Sequence, residues 1–177
     1  MIIDNSEPIV KVMNSVEDTV NLAADIADIL EMGDIILFSG AIGGGKTTFI
    51  QALAKNLGIK ELVTSPTFVI HVLHDSGRIL LSHVDLYRLE DDDEEIDAIG
   101  FEEYYDHAIT VIEWADRYSG FEPPFLKMHF EYGATETERI ITITATKFFI
   151  LVKQIHRKLN ISMILIMKFA TITKIFG

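Results

Sequence analysis

Residues 40–47 have the sequence GAIGGGKT, which fills every fixed position of the phosphate-binding loop pattern G-x-x-x-x-G-K-[ST], the Walker A motif. Glycines let backbone N–H groups approach a phosphate without a Cβ in the way. Lys46 supplies a positive charge for the β- and γ-phosphates, and the hydroxyl of Thr47 is a ligand for Mg²⁺. The motif therefore predicts a binding site for a nucleoside triphosphate.

The sequence on both sides of this loop has the context that the motif requires. Residues 34–39 are mostly apolar and are predicted to form a buried strand that enters the loop. Residues 47–57 have the apolar spacing of a helix, and Gly58 follows as the glycine expected just past a helix C-terminus. This order places the phosphates at a helix N-terminus, where the dipole favours anions. The alternative, a glycine-rich structural turn, does not explain the flanking pattern.

Two acidic residues are candidates for the carboxylate that a phosphate loop needs near its Mg²⁺. A mostly apolar predicted strand ends in Glu113, as a Walker B element does. Alternation in the sequence HVDLY places His83, Asp85 and Tyr87 on one face of another strand. Asp85 is the second candidate for binding Mg²⁺ or positioning water, unless it caps a turn and His83 is a half-buried side chain with its own hydrogen bonds. The spacing leaves Mg²⁺ ligation open between Asp85 and Glu113.

The rest of the first 146 residues alternates between helical and strand patterns. Asn14 and Ser15 offer an N-cap for a helix predicted to run to about Met32, with Val20 among its inward residues and Gly33 at its end. Shorter helices are predicted toward residue 99 and over residues 101–105, and residues 75–78 carry a hairpin turn signal. Further strands are predicted within residues 1–12, 62–63, 68–73, 79–87, 108–114, 126–132 and 139–146. The pattern predicts an α/β fold of the P-loop NTPase type, with three layers and a central mixed parallel and antiparallel sheet flanked by helices.

Composition and length limit the class of protein. A chain of 177 residues with 49% apolar content suits one domain with a full core. The absence of cysteine fits a reducing compartment. There is no signal-peptide pattern and no apolar run of about 18 residues. We therefore expect a cytoplasmic protein without a transmembrane segment.

Charge is distributed unevenly along the chain. All 27 acidic residues lie at or before Glu138, whereas residues 147–177 contain six basic residues and no acid. Removing those six from the net charge of −12 leaves −18 for residues 1–146. A surface this acidic repels nucleic-acid phosphates, so any nucleic acid is expected to be held by a partner. We predict an ATPase domain over 1–146 and a basic, apolar extension over 147–177, whose open roles are an extra packed element, a partner or membrane-surface contact, or a poorly ordered tail.

Four motifs occur in order between residues 14 and 139: GAIGGGKTT at 40–48, SPTF at 65–68, HVDLYRL at 83–89 and EW at 113–114. In these motifs the chain resembles the TsaE family (older name YjeE), small bacterial ATPases of tRNA threonylcarbamoyladenosine (t6A) biosynthesis. Two positions depart from the family loop. Ala41 stands in place of an acid, and Gly44 in place of an alanine.

The resemblance implies roles for individual residues. ATP would be bound by the loop residues Gly43, Gly44, Gly45, Lys46, Thr47 and Thr48. Mg²⁺ would be held by Thr47 and Glu113 or Asp85, and Lys46, Asp85 and Glu113 would act in hydrolysis. Trp114 would lie beside the nucleotide. The SPTF segment (residues 65–68) resembles the family's switch, whose conformation would depend on the γ-phosphate.

Two positions match the family less sharply. Thr19 in the first helix and Arg139 on the last strand correspond to the adenine or phosphate environment. Each also has a simpler interpretation, Thr19 as an ordinary helix residue and Arg139 as a surface cation. Arg88 is a possible cation for the γ-phosphate, with a structural ion pair as the alternative.

The resemblance implies a slow ATPase that acts on a complex of TsaB-like and TsaD-like proteins and is required for threonylcarbamoyl modification of adenosine 37 in tRNAs reading ANN codons. Contact with tRNA would be indirect, through that complex. A nucleotide-gated binding module with negligible catalysis is the first alternative. A small-molecule kinase is the second, although the acidic residues 90–95 would repel donor phosphates where a kinase carries an arginine-rich lid.

Overall fold

The computed structural model describes residues 8–89, 93–121 and 125–145. These residues form seven strands, three α-helices and two 3₁₀ turns. The strands are β1 Ile9–Met13, β2 Ile35–Gly40, β3 His71–His74, β4 Leu81–Asp85, β5 Ile109–Glu113, β6 Leu126–Tyr132 and β7 Arg139–Ala145. The helices are α1 Val16–Ala27, α2 Lys46–Asn56 and α3 Asp93–Asp97, and the 3₁₀ turns are Phe101–Tyr104 and Ala115–Arg117. Strand β1 confirms the opening strand predicted within residues 1–12. The predicted extension over 147–177 lies outside the described residues, as do residues 1–7 of that opening segment.

All seven strands form one sheet in the order β1-β7-β6-β2-β5-β4-β3. The central strands β6, β2, β5 and β4 run parallel to one another. Strands β1, β7 and β3 pair antiparallel at the two sides. The mixed sheet confirms the prediction from the alternating pattern. It also brings the carboxyl ends of β2, β4 and β5 to one edge, where an open α/β fold binds its ligands.

The two faces of the sheet are covered by different helices. Along β2, Ile36 and Phe38 point into a core shared with α1 and α2. Ile35 and Leu37 point into a second core, formed with α3 and the two 3₁₀ turns. A strand buried on both faces is continuously apolar, which is why β2 has no polar alternation. The predicted three-layer arrangement is confirmed.

The strand, loop and helix around residues 40–47 form as predicted, with α2 beginning at Lys46 and Gly58 following its C-cap. The close approach of β6 to the start of the loop depends on Gly40. Its φ is +106°, and a Cβ there would lie 2.1 Å from the carbonyl oxygen of Phe130. Any side chain at position 40 would therefore push the loop away from the sheet.

The first helix is shorter than predicted. It begins with a capping box, in which Ser15 and Asp18 exchange hydrogen bonds, but it ends at Ala27 rather than near Met32. A tight turn follows, and Gly33 donates its N–H to the carbonyl of Ala108 at 2.9 Å. The apolar residues after the helix therefore pack from a loop. Val20, predicted to face inward, is 37% exposed.

One predicted strand segment is wrong, because residues 62–63 form no strand. The strand predicted over residues 68–73 does form, but β3 begins at His71. It starts late because the carbonyl of Pro66 accepts hydrogen bonds from the N–H groups of Val69 and Ile70 in a turn. Ile70 has a φ of +67°, a strained conformation for a β-branched residue. The hairpin between β3 and β4 and the hairpin between β6 and β7 form as predicted.

Helices in the described part of the chain are too short or too polar to cross a lipid bilayer.

Candidate functional site

A pocket of about 370 Å³ opens at the carboxyl ends of β2, β4 and β5. It is lined by most of the residues predicted to bind ATP or Mg²⁺, together with Ile42, Tyr87 and two residues of the SPTF segment. The lining residues are Ile42, Gly43, Gly44, Gly45, Lys46, Thr47, Thr48, Ser65, Thr67, Asp85, Tyr87, Glu113 and Trp114. A larger cavity of about 510 Å³ lies beside β2 and the Ala115–Arg117 turn, but none of the predicted site residues lines it. The smaller pocket is therefore the candidate site.

The two predicted carboxylates lie side by side because of strand register. In the parallel pairing of β4 with β5, Asp85 is directly opposite Glu113. Both are the last residues of their strands, and both are almost fully buried, at 1% and 2% exposure. Buried carboxylates require hydrogen-bond donors or cations. The partners of each one therefore indicate its role.

Glu113 is contacted through both of its carboxylate oxygens. Thr47 donates its hydroxyl to Oε2 at 2.9 Å, and Nε2 of His83 lies 3.0 Å from Oε1. The hydroxyl and the carboxylate are hard oxygen ligands of the kind that Mg²⁺ prefers. Their direct contact at the mouth of the loop means that the donor set fits this ion.

Asp85 is bonded to the SPTF segment and to the turn after β4. Its Oδ2 accepts hydrogen bonds from the hydroxyls of Ser65 and Thr67, the latter at 2.6 Å. Its Oδ1 accepts the backbone N–H of Tyr87 at 2.8 Å. The turn-capping role considered from the sequence is therefore present, and it coexists with a position in the pocket. Asp85 physically joins the SPTF segment to the site.

The ammonium group of Lys46 is folded back onto its own loop. Nζ donates to the carbonyl oxygens of Gly40 and Ala41, both at 2.8 Å. It also lies 4.0 Å from the centroid of the Trp114 ring. Burial lowers the pKa of Lys46, and the carboxylates of Glu113, Asp116 and Asp85 oppose this shift. The charge is thus held by backbone dipoles and an aromatic face.

The β6–β7 hairpin anchors the outer side of the loop. Tyr132 donates its hydroxyl to the carbonyl of Ile42 at 2.6 Å. Arg139 lies over the Tyr132 ring at 4.6 Å, and its Nη2 is 3.4 Å from the carbonyl oxygen of Gly43. Arg139 is therefore beside the loop although it does not line the pocket. Tyr132 was not predicted as a site residue. It is the last residue of the strand predicted over 126–132, just before the strand of Arg139, and this position could have indicated it.

The loop itself is compact at Gly44. Its N–H donates to the carbonyl of Ala41 at 3.1 Å. A Cβ at position 44 would lie 2.9 Å from the Ala41 carbonyl oxygen. The glycine therefore permits a tighter turn than an alanine would.

Two further residues lie differently from expectation. Thr19 is buried in α1, outside the lining of the pocket. His83, expected to be half-buried, is fully buried and contacts Glu113. The alternation of the HVDLY sequence could have indicated that His83 contacts Glu113, because it places His83 and Asp85 on the same face of β4.

The family model described as "Threonylcarbamoyl adenosine biosynthesis protein TsaE" matches residues 13–141. This range includes every strand from β2 to β6 and all residues that line the pocket. The chain belongs to the TsaE family.

Individual TsaE proteins cover much of the chain. The tRNA threonylcarbamoyladenosine biosynthesis protein TsaE of Bacillus subtilis is 34% identical over 149 residues, which are 82% of this chain and 92% of that protein. The TsaE of a Nostoc species is 37% identical over 122 residues, which are 66% of this chain and 74% of its own length. The crystal structure of Bacillus subtilis YdiB superposes with a TM-score of 0.69 at 25% identity, over 86% of this chain and 97% of YdiB.

These comparisons confirm the resemblance that the four motifs indicate. TsaE membership assigns the chain to threonylcarbamoyl adenosine biosynthesis. The mixed seven-stranded sheet and its similarity to YdiB confirm the α/β fold of the P-loop type.

Proposed function

We propose that this TsaE-family chain binds ATP with Mg²⁺ and hydrolyses it slowly while acting on a TsaB–TsaD-like complex. The proposed role is the threonylcarbamoyl modification of adenosine 37 in tRNAs reading ANN codons. One observation carries the proposal. The Thr47 hydroxyl and the Glu113 carboxylate meet at 2.9 Å beside a glycine-rich loop at the start of α2.

ATP binding is supported by the shape and polarity of the loop. Residues 43–48 line the pocket, and α2 begins at Lys46, so its N-terminal N–H groups are available to an anion. Phosphates would draw Lys46 away from the carbonyls of Gly40 and Ala41, because phosphate oxygens carry more negative charge than carbonyls. Trp114 and Arg139, on two sides of the loop, would bound the nucleotide.

The chemistry of hydrolysis follows from the two carboxylates. Bound Mg²⁺ would neutralise charge on the β- and γ-phosphates. Thr47 and Glu113 would hold the ion, while Asp85 would position the attacking water or complete the ion's ligands. Lys46 would stabilise negative charge that develops on the γ-phosphate.

Slow intrinsic hydrolysis is supported by the contacts of the arginines nearest the site. Arg117 donates to the carbonyl of Leu89, and Arg139 donates to the carbonyls of Glu136 and Glu138. Arg88 packs over the exposed Phe68 ring at 5.3 Å. None of these described contacts directs a guanidinium to the γ-phosphate. A cation supplied by a partner can raise the rate by roughly 10³–10⁵-fold.

Indirect contact with tRNA is supported by charge. Residues 1–146 carry a net charge of −18, which opposes direct binding of a polyanion. A partner complex would then supply the basic surface that holds the tRNA.

A nucleotide-gated binding module is the second candidate. It is favoured by the hydrogen bonds that tie Asp85 to Ser65 and Thr67. In that case, Mg²⁺ would compete with the two hydroxyls for Asp85, and γ-phosphate oxygens would compete with Asp85 for the two hydroxyls. Either change would release the SPTF segment without any need for fast chemistry.

The deciding experiment measures γ-phosphate release with and without a TsaB–TsaD-type complex. Wild type, Glu113→Gln and the matched control Glu103→Gln, which removes an exposed carboxylate, would be compared. Stimulation by the complex in wild type and Glu103→Gln, but not in Glu113→Gln, would support the ATPase. Binding of ATP with no phosphate release in any setting would support the gated module.

A further inference from the structure

His83 is placed so that it can act on the site only through Glu113. Its side chain is fully buried in β4 and does not line the pocket. Its Nε2 lies 3.0 Å from Oε1 of Glu113, the oxygen that Thr47 does not contact. The carboxylate is thus held between an imidazole behind it and a hydroxyl in front of it.

The chemistry of this contact defines its direction. An ionised carboxylate only accepts hydrogen bonds, so Nε2 of His83 must carry the hydrogen. A glutamate side chain has several rotatable bonds, and the bond at Oε1 removes the freedom of the carboxylate to turn. Oε2 is then left facing Thr47 and the start of α2.

We infer that His83 is a positioning residue that aims the Glu113 carboxylate at the Mg²⁺–nucleotide position. The inference rests on the proposed function, since it assigns His83 a role only if Glu113 binds that ion. Groups that hold a metal ligand in this way commonly change metal affinity by about 10–100-fold when they are removed. Removing the His83 contact should therefore reduce the factor by which Mg²⁺ increases nucleotide affinity. The affinity for nucleotide without Mg²⁺ should not change.

A neighbouring histidine offers a matched control. His74 in β3 is also buried, at 6% exposure, and its ring centroid is 6.2 Å from that of His83. Its Nδ1 contacts Oε1 of Glu61 at 3.1 Å, and neither of these residues lines the pocket. His74 therefore has the same type of histidine–carboxylate contact, but its carboxylate partner is Glu61 and not Glu113.

Two substitutions at His83 separate positioning from packing. His83→Gln places an amide donor near the position of Nε2, whereas His83→Asn places its donor near Nδ1 and too far from Glu113. Both keep a polar side chain of reduced volume. His74→Gln provides the control, and thermal unfolding establishes that each variant is folded.

The readout is the fluorescence of Trp114, the sole tryptophan, during titration with a non-hydrolysable ATP analogue in EDTA and in Mg²⁺. The measured quantity is the factor by which Mg²⁺ increases nucleotide affinity. We expect His83→Asn to reduce this factor by about tenfold or more and to leave the affinity in EDTA unchanged. His83→Gln and His74→Gln are expected to retain the wild-type factor.

Failure of the inference and failure of the proposed function give different results. A folded His83→Asn variant with the wild-type factor, or a folded His83→Gln variant that loses it, would overturn the positioning role alone. If His83→Asn does not fold, the His83→Gln result decides. Absence of nucleotide binding, or of any Mg²⁺ effect, in the wild type would overturn both the proposed function and the inference.

Discussion

The Lys46 ammonium lies 4.0 Å from the centroid of the Trp114 ring and is held there by hydrogen bonds to Gly40 and Ala41. A cation over an indole face is stabilised by the ring's electrons. Any ligand that draws the ammonium away changes the environment of the tryptophan. We therefore expect occupancy of the loop to change the fluorescence of Trp114.

We predict that ATP changes Trp114 fluorescence and that Lys46→Ala weakens ATP binding by about 10–100-fold, because a hydrogen bond to a charged group contributes about 1.5–3 kcal/mol. Calorimetric titration measures the affinity independently of the fluorophore. Lys55→Ala, on the exposed last turn of α2, is the control. Equal ATP affinity in Lys46→Ala and wild type would contradict the prediction.

Asp85→Asn is predicted to release the SPTF segment. The amide oxygen can still accept the N–H of Tyr87, but the amide nitrogen cannot accept the hydroxyls of Ser65 and Thr67. Amide hydrogen exchange around residues 65–70 should become faster, with the rest of the sheet unchanged. Asp75→Asn, in the exposed β3–β4 turn, should show no such effect. Unchanged exchange in Asp85→Asn would mean that other contacts hold the segment.

Gly40→Ala is predicted to destabilise the protein by about 2–5 kcal/mol and to abolish nucleotide binding. The new Cβ would overlap the Phe130 carbonyl, and overpacking of about 1–3 kcal/mol adds to the strain of a positive φ. Urea unfolding measures the loss.

Gly100→Ala is the matched control for that substitution. Its φ is +72°, but no atom lies within 4 Å of the added Cβ. Only the strain of the positive φ, about 1–2 kcal/mol, should destabilise this variant, and nucleotide binding should be retained. Equal losses from the two substitutions would mean that the Phe130 contact relaxes.

Stability is predicted to fall on mild acidification because of His71. Burial lowers the pKa of this imidazole, and the neighbouring His83 lowers it further. The folded state therefore binds a proton less readily than the unfolded state, whose pKa is near 6.5, so stability is lost as pH falls through and below that value. The urea midpoint of His71→Gln should change less than that of wild type between about pH 7.5 and about pH 5.5. A wild-type midpoint that is unaffected over this range would contradict the prediction.

The parts of the fold that the sequence predicts well are those in which local pattern and global packing agree. The strand–loop–helix at residues 34–57 has turn glycines, an apolar run and helical spacing that all specify the same unit. One error arises where a local turn overrides the side-chain pattern. Residues 68–70 have strand-like side chains, but the Pro66 carbonyl accepts the N–H groups of Val69 and Ile70 in a turn.

Some residues of the candidate site could likewise be predicted from the sequence, and others could not. Glu113 was recognisable because it ends an apolar strand, and Asp85 because the alternation in HVDLY places it on one strand face. The parallel pairing of β4 with β5 puts the two side by side. The contact of Tyr132 with Ile42 was not recognisable, because it depends on the parallel pairing of β6 with β2, which places Phe130 opposite Gly40. Alternation indicates which face a side chain occupies; it does not identify the atom that the side chain meets across the sheet.

The β6–β7 hairpin that anchors the phosphate-binding loop is separated from it by a long stretch of chain. Tyr132 and Ile42 are 90 positions apart, and Arg139 and Gly43 are 96 apart. At a translation rate of roughly 5–20 residues per second, about 5–20 seconds pass between synthesis of the loop and synthesis of its anchors. The nascent chain thus contains its nucleotide-binding motif well before the residues that anchor the loop have been synthesised. A product truncated before β6 would contain all four motifs but would lack these anchors.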